Sequence, residues 1–171
     1  MERRAPSPVQ PLGGLMARRG IFSALNRDCL LDSARPALAA LVAMLLARLL
    51  KMPEYYWAPI STIVIIQSTI PPRTLGWQRF VGTALGAALA TYSHPTAVVY
   101  GAGILLCGVL AFLLRVGGAY RFAGITLSII LLIPRGRDPW IVGWHRFLEV
   151  SLGIAVALVV TMVWPLAKKA A

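Results

Sequence analysis

Two arginines stand inside strongly apolar stretches of this chain, each near the start of the same short motif. Residues 77–86 read WQRFVGTALG and residues 144–153 read WHRFLEVSLG. Trp77 and Trp144, Arg79 and Arg146, Phe80 and Phe147, Leu85 and Leu152, and Gly86 and Gly153 fall in register, 67 positions apart. A guanidinium at the centre of a bilayer costs about 2.5–3.5 kcal/mol on insertion scales, so such a residue tends to face a cavity or a partner group. The chemistry this suggests is attraction of an anion. On a helix Arg79, Gly82, Thr83, Gly86 and Ala90 share one face, and Arg146, Glu149, Val150, Gly153 and Ala157 share the corresponding one. Gly82, Gly86, Ala90 and Gly153 let another backbone come close. Arg146 and Glu149 are spaced to pair, which leaves Arg79 as the unneutralised charge. A plainer reading stands beside this one: each arginine lies two residues beyond a tryptophan, and both snorkel to the headgroups.

Uncharged polar groups gather in two other places. Ser61, Thr62, Gln67, Ser68 and Thr69 follow Pro59, and Thr126 with Ser128 occupy a comparable later stretch. Pro59 belongs to a first helical turn, where proline is tolerated, or kinks a helix that begins at Glu54 or Tyr55. Thr62, Gln67 and Thr126 join the two arginines and Glu149 as candidate pathway residues, although serine and threonine often only bond across helices.

No constellation points to an enzyme. His94 and His145 have no second ligand at metal spacing, so neither a metal nor another cofactor is expected. Phosphate-loop and ATPase motifs are absent, which leaves a gradient or a partner to drive any transport. Cys29 and Cys107 fall at different depths, too far apart for a disulfide, and Cys107 reads as a small packing residue beside Gly103 and Ala111.

These residues need elements that lie in lipid. Hydrophobic residues make up 58% of the 171 and charged residues only 13%, too few for the surface of a soluble domain. Membrane-spanning helices need about 17–25 mostly apolar residues. Six spans follow, near 34–51, 55–70, 77–93, 96–115, 120–134 and 141–164, broken where Pro, Gly and charge concentrate. Trp57, Trp77, Trp140, Trp144 and Trp164 stand near span ends, as interfacial anchors do.

The formal net charge of +11 would suggest nucleic acid in a soluble protein. Here the basic residues punctuate apolar runs, and nucleic acid is not the expected partner. With the amino terminus inside, the cytoplasmic side receives Arg3, Arg4, Arg18, Arg19, Arg27, Arg35, Arg73, Arg115, Arg121, Lys168 and Lys169. The outside receives Lys51, Arg135 and Arg137, so the positive-inside rule places both termini in the cytoplasm. With three spans per repeat, the second copy starts on the opposite side. The expected fold is therefore all-α and integral to the membrane, six transmembrane helices as two inverted three-helix repeats.

The expected organisation is a basic tail over 1–33, a six-helix membrane domain over 34–166 and a short basic tail over 167–171. Within the first tail, residues 15–31 carry Leu15, Arg18, Arg19, Phe22 and Leu25. They read either as a short amphipathic helix on the anionic inner leaflet or as a flexible tail that only fixes orientation.

Residues 54–90 also carry a family resemblance. EYYWAPISTIVIIQSTI, a short loop with Thr74 and Leu75, and RFVGTALGAALA resemble the aromatic-Trp span and Arg-x-x-Gly-Thr-x-x-Gly pattern of fusaric acid resistance (FUSC) proteins. ITLSIILLIP and RFLEVSLGIAVALVVTMVWP resemble the end of the same membrane unit, so the similarity covers about residues 30–166. The plant aluminium-activated malate transporters, dimeric anion channels, have a similar six-helix unit. The resemblance implies helix packing and an electropositive anion path for Arg79, Gly82, Thr83 and Gly86, and for Arg146 with Gly153.

Many members carry two membrane units or a large cytoplasmic region, which implies a homodimer or a partner membrane subunit here. The expected function is an inner-membrane transporter or channel unit for small organic anions, with export of aromatic carboxylic acids. The rival is a non-transporting scaffold, or a half-transporter subunit that needs a partner. The faces Gly82, Gly86, Ala90 and Gly103, Cys107, Ala111 suit that rival equally well.

Overall fold

The computed structural model of the protein describes residues 27–92, 96–133, 136 and 138–164, with side chains from residue 30 onward. Among them six helices follow in order: α1 (Arg27–Leu49), α2 (Trp57–Ile66), α3 (Pro72–Thr91), α4 (Ala97–Leu113), α5 (Ala119–Leu132) and α6 (Pro139–Val163). The chain divides into two compact units, Met1–Arg35 and Pro36–Ala171. The first contributes only the opening turns of α1 to the described residues, and the amphipathic segment expected over 15–31 falls almost wholly outside them. All that follows concerns the second unit.

Side chains are sorted by size in a way that suits lipid. In α1 the inward positions are Ala39, Ala43 and Ala47, whereas Leu38, Leu41, Leu45 and Leu49 are exposed. In α4, Gly103, Cys107 and Ala111 face inward while Leu105, Phe112 and Leu113 face outward. A soluble bundle would bury the large residues; in a bilayer, tails solvate them as well as protein does, and small residues bring helices together.

Helix lengths depart from the spans expected from sequence chiefly at α2. Leu30–Leu49 and Pro139–Val163 are long and apolar enough to cross a membrane. Helix α2 has 10 residues, not the 16 of the expected 55–70, and α5 has 14. At about 1.5 Å per residue α2 is roughly 15 Å long, half the usual hydrocarbon thickness. Pro59 falls in the first turn of α2, where its missing N–H removes no helical bond.

Packing contacts give the relative directions of the helices. Gly76 of α3 meets Ile154 of α6, and Gly143 meets Ala87, so α3 and α6 run antiparallel. The rings of Phe80 and Phe147 touch at their crossing, 4.9 Å between centroids. Gly82 lies on Ala119 and Phe122 while Gly86 lies on Ala123 and Thr126, which makes α3 and α5 parallel. On the other side Gly153 of α6 lies on Ala58 and Ser61 of α2.

The ends of α1 and α4 are built alike. Past α1, the amides of Leu50, Lys51 and Met52 bond the carbonyls of Leu46, Arg48 and Ala47. Past α4, the amides of Leu114, Arg115 and Val116 bond those of Leu110, Phe112 and Ala111 in the same pattern. Lys51 and Arg115 both take the left-handed conformation, φ 52° and 55°, that closes a helix in this way.

Candidate functional site

Arg79 lies on α3, one turn before the two glycines that press that helix against α5. Because Gly82 and Gly86 lack a Cβ, α5 comes so near that an added Cβ would fall 2.4 and 2.3 Å from the carbonyls of Ala119 and Ala123. The guanidinium is thereby enclosed, with Arg79 only 9% exposed. One face stacks on the Phe122 ring, Cζ 5.0 Å from the centroid, and Nη2 donates to Ser61 Oγ at 3.2 Å. The Ser61 hydroxyl is held in that orientation because it donates to the Trp57 carbonyl at 2.8 Å. Nε of Arg79 is buried without a hydrogen-bond partner, and no carboxylate pairs with Arg79 among the described residues. A second cation, Arg121, approaches the same ring at 5.9 Å.

Arg146 is also buried, 2% exposed, and stacks on the Trp57 ring with Cζ 3.4 Å from its centroid. Its surroundings differ in charge. Glu54 Oε2 lies 3.7 Å from Arg146 Nη1 and accepts the Trp57 indole N–H at 3.0 Å. Glu149, fully buried, accepts the Glu54 backbone N–H on Oε1 at 2.8 Å. Arg146 thus has Glu54, which sequence reasoning left in a loop, as an ion-pair partner, while Glu149, expected from its spacing to pair with Arg146, accepts the Glu54 amide. Both arginines turn inward onto protein rings, a placement unlike snorkelling.

The other predicted residues separate into two groups. Thr126 is buried against Gly86, and Thr62 is buried with its hydroxyl on the carbonyls of Ala58 and Gly153 at 3.0 and 2.9 Å. Gln67 is the exposed C-cap of α2 and is not brought to the arginines. Gly82, Thr83, Gly86, Ala90 and Gly153 are buried in packing. Gly103 meets Leu127, and Cys107 and Ala111 are buried as well. These small-residue faces are used within the protomer, which removes them as the docking surface that a scaffold would offer.

Sequence reasoning missed Glu54, Phe122 and Arg121 as site residues, and gave Trp57 only an anchoring role. A signal did exist in the Glu54-x-x-Trp57 spacing, which puts a carboxylate one turn from an indole. An apolar groove of about 300 Å³ lies between α3 and α6, lined by Ala84, Ala87, Trp140, Gly143, Trp144 and neighbours. It shares no lining residue with either arginine cluster and has no charge to hold an anion.

Fold and site together define an all-α membrane protein whose interior holds buried, ring-stacked arginines. Residues 42–160 match the fusaric acid resistance protein-like family. The chain belongs to that family, whose members are generally related to transport. It is 33% identical over 152 residues to the inner membrane protein YeeA of Escherichia coli (strain K12), an alignment covering 80% of this chain and 41% of that protein. The chain thus spans about two fifths of the length of this relative. No solved structure matches.

Proposed function

We propose that the protein is a transporter or channel unit for small organic anions, aromatic carboxylates among them, in the inner membrane. The observation that carries this reading is Arg79: a buried guanidinium, stacked on Phe122, with an Nε that has no hydrogen-bond partner and no carboxylate to neutralise it among the described residues. An unneutralised charge costs several kcal/mol in a low-dielectric interior, and a mobile anion that visits the site offsets that cost. Ser61 supplies a hydroxyl in place of lost water, and the Phe122 ring offers a face to an aromatic acid. Arg121 adds positive potential at the same end.

The six helices form two inverted three-helix repeats, α1 to α3 and α4 to α6, with both termini in the cytoplasm. Matching ends of α1 and α4, the antiparallel pairing of α3 with α6 and the paired contacts of Gly86 and Gly153 support this arrangement. Arg79 and Arg121 then lie toward the cytoplasmic mouth, where an exported anion is gathered. No metal or cofactor takes part, and the chain is not an enzyme.

A second reading, a subunit that works only with a partner or a second copy, is favoured by the outward rings of Trp77 and Trp144, 58% and 55% exposed at the α3–α6 crossing. Proteoliposomes holding the purified protein test the first reading against benzoate, chloride and, as a cation control, tetramethylammonium. Uptake of the anions without the cation is expected. Equal permeability to all three, or none from correctly inserted protein, contradicts an autonomous anion pathway, and crosslinking in native membranes then identifies the partner.

A further inference from the structure

The two arginine sites are built on the same plan but differ in charge. Arg79 and Arg146 are partners in the sequence repeat, and each guanidinium lies over an aromatic ring carried by a short helix, Phe122 on α5 and Trp57 on α2. Gly86 rests on Ala123 and Thr126 one turn beyond Phe122, and Gly153 rests on Ala58 and Ser61 one turn beyond Trp57. Superposing these contacts matches Trp57 with Phe122, Ser61 with Thr126, Gly82 with Glu149 and Glu54 with Ala119. Where one half has a carboxylate on its arginine, the other has a methyl group.

We propose that Glu54 is a tethered carboxylate that occupies the Arg146 guanidinium, so that of the two repeat-related arginines only Arg79 is offered to a mobile anion. This rests on the reading of Arg79 as an anion site. Glu54 is held from two sides, with Oε2 on the Trp57 indole at 3.0 Å and its backbone N–H on Glu149 Oε1 at 2.8 Å. The same two contacts leave Oε2 3.7 Å from Arg146 Nη1, a distance at which a carboxylate competes with any other anion for that charge. Glu149 is a positioning residue that acts through Glu54. At the other end Gly82 stands in its place and Ala119 in that of Glu54, and two cations, Arg79 and Arg121, face one ring. The pathway is therefore polarised: electropositive at Arg79, neutralised at Arg146. Strong anion sites at both ends would hold an anion too tightly to release, because conduction needs binding weak enough to leave.

Saturation binding of radiolabelled benzoate to the purified full chain in lipid nanodiscs tests this, with circular dichroism and monodispersity checked for every variant. Glu54→Gln keeps an acceptor for the Trp57 indole while removing the charge. It is expected to roughly double the benzoate bound at saturation, because the carboxylate that competes for Arg146 has lost its charge. The gain disappears in Glu54→Gln/Arg146→Ala, and wild-type binding disappears in Arg79→Ala. Glu149→Ala, which releases the Glu54 backbone, also raises binding, whereas Glu149→Gln does not. A purely structural glutamate would give no new benzoate site in either variant. Wild-type binding that depends on Arg79, with no gain in Glu54→Gln, overturns the tethered carboxylate and leaves the Arg79 site standing. Arg146-dependent binding in Glu54→Gln with none in wild type supports the tether and overturns the Arg79 site. No binding in any variant overturns both.

Discussion

Arg79 and Arg146 are solvated by protein in different ways, and the difference lies in their immediate neighbours. Each has a ring beneath it, worth about 2 kcal/mol or more when desolvated, which is less than the cost of burying the charge. At Arg146 Glu54, whose carboxylate is fixed by the Trp57 indole, offsets part of the remainder. Trp57→Phe keeps the ring and removes that N–H, making the position resemble Phe122. A stability loss of about 1.5–3 kcal/mol is expected, the range for a hydrogen bond to a charged group, read as a lower midpoint in denaturant titration. An unchanged midpoint would mean that the indole does not hold Glu54. At this scale the sequence was legible where periodicity governs: the faces Arg79–Gly82–Thr83–Gly86 and Arg146–Glu149–Gly153 are buried as their spacing requires. The rings under the arginines were not legible, because Trp57 and Phe122 come from short helices with little sequence in common. Contacts between distant elements leave no periodic trace.

Helix pairs in this bundle are set by missing side chains. A Cβ on Gly86 would lie 2.3 Å from the Ala123 carbonyl, and one on Gly153 the same distance from the Ala58 carbonyl. Both neighbours are backbone, which cannot step aside as a flexible side chain does. Gly86→Ala and Gly153→Ala are each expected to cost about 1–3 kcal/mol, the usual range for overpacking. Gly101 and Gly108, with nothing within 4 Å of an added Cβ, serve as controls. Alanine there should be neutral or should stabilise by up to about 1 kcal/mol through helix propensity. Equal thermal stability of all four variants would contradict the close packing of α3 on α5 and α6 on α2. The number and order of the helices among the described residues were legible from hydropathy and from the Pro, Gly and charge breaks. The brevity of α2 was not, since Ser68, Thr69 and Ile70 extend the uncharged run of 55–70 without extending the helix. Composition reports what lipid tolerates, while the helix end depends on local backbone bonds such as those from Gln67 to Ile63 and from Ser68 to Ile65.

Across the whole molecule, the proposed anion path rests on two inverted halves. Lys51 and Arg115 close α1 and α4 in the same conformation, yet the proposed inversion would put them on opposite sides of the membrane. In a cysteine-free background, an impermeant maleimide should label Lys51→Cys from outside intact cells and Arg115→Cys only after permeabilisation. Labelling of both from one side would contradict the inverted arrangement. In the sequence only α3 and α6 betray the repeat, because their arginines and glycines do specific jobs. Helices α1 and α4 keep only the size rule of small inside and large outside, which many sequences satisfy. The central claim is that Arg79 is the charge an anion meets. Its most direct test is benzoate flux into proteoliposomes carrying wild type or Arg79→Ala at equal, verified insertion. A loss of roughly tenfold or more is expected, equivalent to about 1.4 kcal/mol of lost interaction. Wild-type flux from a well-folded Arg79→Ala protein would contradict the account.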